Sequence, residues 1–284
     1  MSIYSWQPFN ELWLEYKNPL VRQLAFTLLS PNIIQDLPPS LRILYSFNLH
    51  SNQHWFSLFE NYRSRLQYLD HYPDELYNFL NRLKSTRLGL RFETLMWFWL
   101  QDHHYHAYEL LGHSLQIIEG PMTVGELDFL IKNTETNQIE HWEVALKYYL
   151  GEQDLSLNSW YGLNRTDTLF RKLNHFTQKQ FQFSNALNYV IDLKYAVLKG
   201  QLYFPNKQLE LPSWINTERR LGLWGQHFPI NTSQYRRLKR HEWLCPNADR
   251  MHTKIRWWTD GLYFNAEYNE YYMYKAPPLL KFYN

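Results

Sequence analysis

Two segments with matched two-residue alternation, 124–132 and 141–150, constrain this chain more than any other feature. In the first, Leu127, Phe129 and Ile131 alternate with Glu126 and Asp128; in the second, Trp142, Val144, Leu146 and Tyr148 alternate with Glu143, Ala145 and Lys147. Successive side chains on a strand point to opposite faces, so each segment reads as a strand with one apolar and one charged face. Turn-forming residues, Asn133 to Gln138, lie between them and predict an antiparallel hairpin. Folded about the Thr136–Asn137 boundary, the hairpin sets Asp128 opposite Ala145 and Glu126 opposite Lys147. Directly paired Cβ atoms lie about 4.5–5.5 Å apart. Three carboxylates and one ammonium then converge on one patch, with Ala145 leaving a gap among them.

The surrounding pattern is that of an α/β core over residues 87–204. A helix from Arg87 to Gln101 carries Leu88, Phe92, Leu95, Met96 and Trp99 on one side. A short strand at 114–119, a turn at Gly120-Pro121, the two alternating strands, a helix at 166–180 and a strand at 196–204 follow. Residues 1–86 read as a helical region: Asn18 is a fitting N-cap, Pro19 fits the first helical position, and Leu20, Val21, Leu24 and Leu28 form a stripe ended by Ser30-Pro31. A further helix is expected from Pro73 to Leu83, and the aromatic-rich stretch between the two helices has no assignment. Residues 205–284 read as an irregular, aromatic-rich extension with Trp214, Trp224, Trp243, Trp257 and Trp258.

Composition removes several classes. Aromatic residues make up 18% of the chain, which excludes disorder as its main state. No apolar run approaches the ~20 residues of a membrane span, and residues 1–6 have neither the basic nor the apolar region of a secretory signal. A lone cysteine, Cys245, excludes an internal disulfide or a multi-thiolate zinc site. A cytoplasmic protein without a membrane partner is the expectation. There is no Gly-rich phosphate loop and no nucleophile elbow. The run His103-His104-Tyr105-His106 lacks the partner spacing of a zinc site.

Clustered carboxylates are hard ligands suited to Mg²⁺ or Mn²⁺, and a nearby lysine can stabilise developing phosphate charge. Glu93 joins the candidates because its helical neighbours Gly89, Leu90, Met96 and Trp97 are uncharged, which makes its burial costly without a cation. The competing reading is a sheet face of ordinary salt bridges, with Glu93 paired to an arginine. A net charge of +2 hides basic runs: Arg82, Lys84, Arg87 and Arg91; Arg165, Arg171, Lys172 and Lys179; Arg236, Arg237, Lys239 and Arg240, followed by Arg250, Lys254 and Arg256. Such runs suit a polyanion, or are solvated faces. Tryptophans near 236–240 can stack on unpaired bases or fill a core.

The stretch 125–131, a turn, and Trp142-Glu143-Val144-Ala145-Leu146-Lys147 resembles the PD-(D/E)XK nuclease superfamily, over about 87–204. More narrowly, most of the chain is similar to a bacterial family catalogued as domain of unknown function 1853. That similarity includes Asn18-Pro19-Leu20-Val21-Arg22, Arg87-Leu88-Gly89 with Glu93, residues 125–151 and Leu244-Cys245-Pro246. The resemblance implies a restriction-endonuclease-like fold and Mg²⁺-dependent phosphodiester hydrolysis, with DNA as partner. Glu93 matches the acid of the first core helix, Asp128 the metal-binding aspartate and Lys147 the motif lysine. Ala145 stands where the second acid belongs, and Glu143, two residues earlier on the same face, can substitute for it. Asp128, Glu143 and Glu93 are then the expected metal ligands, with Glu126 in reserve. Arg165, Arg171, Lys172, Arg236, Arg237 and Arg240 are the expected nucleic-acid contacts. The alternatives are a catalytically inactive nucleic-acid-binding relative and a protein-interaction scaffold displaying exposed tryptophans.

Overall fold

A computed structural model describes residues 9–207, 210–246 and 256–277; residues 1–6, Arg250 and Lys254 of the sequence reading lie outside them. Helix α1 (Pro19–Leu29) begins as its sequence predicts, with the Asn18 side chain accepting from the Leu20 amide at 2.8 Å. The unassigned stretch contains the longest helix, α2 (Asn52–His71), capped by Ser51. Its buried residues Trp55, Leu58, Phe59, Tyr62, Leu66 and Leu69 follow helical spacing. Interleaved aromatic and polar side chains masked that stripe in the sequence. Helices α3 (Asp74–Leu80) and α4 (Leu88–Gln101) complete the N-terminal layer. Among the described residues no helix is long and apolar enough to cross a membrane.

The strands are β1 (Tyr108–Glu119), β2 (Met122–Asn133), β3 (Gln138–Gly151), β4 (Trp160–Tyr161), β5 (Asn185–Ala186), β6 (Tyr189–Val190), β7 (Leu193–Phe204), β8 (Gly222–Gly225), β9 (Tyr235–Arg237), β10 (Gly261–Asn265) and β11 (Glu270–Tyr274). Helix α5 (Leu169–Gln178), capped by Thr168, falls inside its predicted range. Among the described residues nine strands form one mixed sheet in the order β1-β2-β3-β7-β8-β11-β10-β9, with β4 on β3. The β3–β7, β7–β8 and β8–β11 pairs are parallel. The chain is therefore mixed α/β. One face of β3 (Trp142, Val144, Leu146) shares a core with α1, α2 and α4, while Ala145 and Tyr149 of the other face share one with α5 residues Leu169, Leu173 and Phe176.

The region beyond Pro205 is not irregular. It adds β8 to β11 to the sheet of 87–204, and the described residues of 1–86, 87–204 and 205–284 share one main core. Period-two runs of only three to five residues are too short to stand out from a tryptophan-rich background.

The parallel β3–β7 ladder sets Gly200 beside Lys147. At φ +126° a side chain is strained, and a Cβ would lie 1.8 Å from the Lys147 carbonyl oxygen. Gly200→Ala is expected to lower unfolding free energy by roughly 2–4 kcal/mol. Urea denaturation checks this; an unchanged midpoint would show that β7 can shift away from β3.

Candidate active site

The hairpin forms, in a register two residues from the expected one. The ladder pairs Phe129 with Trp142, Ile131 with Glu140 and Asn133 with Gln138, which brings Asp128 across from Glu143 instead of Ala145. Local turn chemistry sets this register. The Asn133 side chain accepts from the Glu135 and Thr136 amides at 3.1 and 3.3 Å, and Asn137 takes a left-handed conformation at φ +59°. A shift of two residues preserves side-chain parity, so Asp128, Glu143, Ala145 and Lys147 still share a face.

The β2–β3 ladder stops at Phe129–Trp142, and carboxylates take over from backbone acceptors. The Val144 amide donates to Asp128 Oδ2 at 2.8 Å, and the Asp128 amide donates to Glu143 Oε1 at 3.4 Å. Beyond this point β2 continues with β1 alone, leaving an edge of β3 open. A cleft of about 790 Å³ lies along that edge, lined by Glu93, Asp128, residues 143–148, Lys172, Gln180, Arg240 and the Thr86–Leu90 segment that begins α4.

Glu143 is 1% exposed and both its oxygens are held. His141 Nε2 donates to Oε1 at 2.7 Å, and the Gln180 amide donates to Oε2. Burial is the main reason that the Glu143 carboxyl is pushed up to about 7, with Lys172 opposing the shift. Burial, and next the Glu143 charge, also raise Asp128 well above the usual carboxylate range. His141 is lowered to about 3, again chiefly by burial, so it is a neutral donor at physiological pH. A raised carboxyl binds its proton in the folded state and loses it in the unfolded one. Stability supplied by neutral Glu143 is therefore present below pH 4.5 and lost as pH rises towards about 7. In EDTA, the stability of Glu143→Gln relative to wild type is expected to rise by roughly 2–3 kcal/mol between pH 5 and pH 8. A pH-independent difference in paired melts would place the Glu143 charge in a solvated setting.

Lys147 lies two same-face positions beyond Glu143 and pairs with Asp167 at 2.8 Å. Lys172 on α5, one of the expected nucleic-acid contacts, lines the cleft. Burial lowers its pKa, while Glu143 and Asp128 oppose the shift, and its ammonium lies 3.9 Å from the Phe176 ring. Glu93 borders the cleft from the other side of the sheet. Its carboxylate accepts from His113 Nε2 at 2.9 Å, and that imidazole is stacked between Trp97 and Phe129. The partner is thus a histidine rather than an arginine. Among the described residues no group of three or more His, Cys, Asp or Glu could hold a metal ion, so the expected Asp128–Glu143–Glu93 triad is not assembled. Glu126 is exposed opposite Gln116 on β1 and does not line the cleft, because β2 has left β3 there. Ala145 is 7% exposed and belongs to the apolar cluster under α5.

The expected nucleic-acid contacts divide. Arg165 pairs with Glu152 and lies over Tyr161. Arg171 donates to the Thr166 carbonyl and, with Lys172 and Lys179, lines a second cleft of about 510 Å³ along α5. Arg236 is paired with buried Glu242 at 3.0 Å, which removes it as a surface contact. Arg237 is exposed outside the main cleft, whereas Arg240 lines it. Trp214 and Trp243 are buried, and Trp258 is 53% exposed. His141, Gln180 and Asp167 escaped the sequence reading. His141 lies two residues before Glu143 on the same face, the one signal that could have marked it.

No curated protein and no solved structure matches the chain. Residues 22–269 match the model of one family over most of the chain's length. The chain thus belongs to the family described as Domain of unknown function (DUF1853).

Proposed function

We propose that this chain is a metal-dependent nuclease of PD-(D/E)XK, restriction-endonuclease-like type, hydrolysing phosphodiesters in DNA. The observation that carries the reading is the apposition of Asp128 and Glu143 where the β2–β3 ladder opens, in a cleft that also holds Lys147 and Lys172. The donor set fits a hard cation: Mg²⁺ takes one or two carboxylates and completes its shell with water and substrate phosphate. Asp128 and Glu143 would hold it, and its charge would offset the burial that raises both carboxyls and the Glu143 charge that further raises Asp128. Bound Mg²⁺ or Mn²⁺ supplies Lewis-acid polarisation of the phosphate and an activated nucleophile.

The protein's own groups supply the rest. His141 and Gln180 fix the two oxygens of Glu143, so the carboxylate reaches the cleft already oriented. Asp167 orients Lys147. Lys147 and Lys172 place positive charge where a pentavalent phosphate accumulates negative charge, which stabilises the transition state more than the bound substrate. Arg87 precedes α4 without a side-chain cap, so the free amides of that first turn are available to a phosphate.

The test is incubation of purified protein with Mg²⁺ or Mn²⁺ and supercoiled, linear or single-stranded DNA. Cleavage that EDTA abolishes is the expected result, and Lys147→Ala and Lys172→Ala should each lower it about 10²–10³-fold while DNA binding persists. Ala145 supports a second reading, an inactive nucleic-acid-binding relative. Binding of DNA without metal uptake or cleavage of any form would select it.

A further inference from the structure

We propose that Arg240 is a phosphate-binding residue of the cleft, supplied by the C-terminal segment, so that a nucleic-acid strand is gripped jointly by the sheet and by residues beyond 205. This rests on the reading of the cleft as a phosphodiester site. Arg240 lines the cavity that holds Asp128, Glu143 and Lys172, although it follows them far along the chain. Its guanidinium carbon lies 3.9 Å from the centre of the Trp243 ring. Stacking on an indole holds a guanidinium in place while its N–H edge stays available, and that edge matches two oxygens of a phosphate.

The position is built, not incidental. Trp243 is buried and packs edge-on at 5.4 Å against Tyr148, another cleft residue. The turn that presents Arg240 is closed by Glu242, which accepts from the Lys239 amide at 2.8 Å and from Arg236 at 3.0 Å. Two other arginines of the basic runs are matched to acids, Arg236 to Glu242 and Arg165 to Glu152, whereas Arg87 lines the cleft with Arg240. Among the described residues Arg240 has no carboxylate within ion-pair distance. A fixed guanidinium with its hydrogen-bonding edge unspent, beside a centre able to hold a divalent cation, complements the phosphate that flanks the scissile one.

The experiment measures anisotropy of a labelled DNA oligonucleotide in EDTA across a salt series, so that cleavage plays no part. Arg240→Ala is expected to weaken binding about tenfold or more. It should also reduce the slope of log Kd against log salt by about one. Arg237→Ala removes an exposed charge of the same run outside the cleft and should stay within about twofold of wild type. Equal losses in the two variants would show an undirected basic surface and overturn the assignment, as would an unchanged Arg240→Ala. If Arg240→Ala fails to fold, Arg240→Lys decides: it keeps the charge and loses the planar fork, so full wild-type affinity would overturn the proposal. Wild-type protein that binds no oligonucleotide defeats the nuclease reading itself, a result distinct from loss in neither variant.

Discussion

On the proposed nuclease reading, Glu143→Ala is expected to reduce metal-dependent DNA cleavage by at least about 10³-fold and to abolish Mn²⁺ binding measured by calorimetry. Residue 145 of β3 is an alanine, and Glu143 is the carboxylate that meets Asp128 across the strand opening. Asp128→Ala should match it in both measurements, and the double variant should be no worse than either, because the two act as one unit. Glu126→Ala is the control: exposed and outside the cleft, it should leave cleavage within about twofold. Cleavage that survives Glu143→Ala would sink the assignment of this residue as the displaced acid. Loss of cleavage with Mn²⁺ binding intact would move Glu143 from holding the metal to positioning the substrate.

Arg220→Ala is expected to cost about 3–5 kcal/mol of stability, the range for breaking a buried ion pair from one side. Arg220 Nη1 lies 3.2 Å from Glu11 Oε2 and 2.9 Å from the Tyr271 hydroxyl, and Nη2 donates to the Trp243 and Leu244 carbonyls. Removing it strands the Glu11 carboxylate, which burial already raises above its usual range. For a chain of this size the melting temperature should fall on the order of 10 °C. Glu11→Gln combined with Arg220→Met should recover much of the loss, since no lone charge is then buried. A melting temperature within a degree or two of wild type for Arg220→Ala would mean that water reaches Glu11. The same guanidinium holds the backbone of Trp243, on which Arg240 stacks, so this network also ties the chain's start to the cleft.

Much of the site's surface logic was legible in the chain itself. Strand parity placed Asp128, Glu143 and Lys147 on one face, and parity survives any even shift of register. Helix α1 was readable from its cap, its proline and its apolar stripe, because those signals are local. What pairs with what was less accessible. Folding the hairpin about its midpoint put Asp128 opposite Ala145, whereas the Asn133 side chain and the left-handed Asn137 moved the partner to Glu143. Basic runs do not sort their own members, for a related reason. Arg236 and Arg240 are near neighbours in sequence, yet one is paired with buried Glu242 and the other reaches the cleft.

Local alternation and capping are short-range properties of covalent geometry, so the sequence by itself determined the α/β class, the charged strand face and the start and end of α1. Tertiary structure alone decided that β2 parts from β3 on the Asp128 side of Phe129, and this opening turns a charged face into a cleft. It also decided that Lys172 faces the carboxylates, that His113 takes Glu93, and that the last third of the chain extends the sheet and delivers Arg240. Each of these depends on contacts between residues distant in the chain. Their partners are chosen by burial and by pairing of charges once the layers have packed, and no spacing along the sequence encodes that choice.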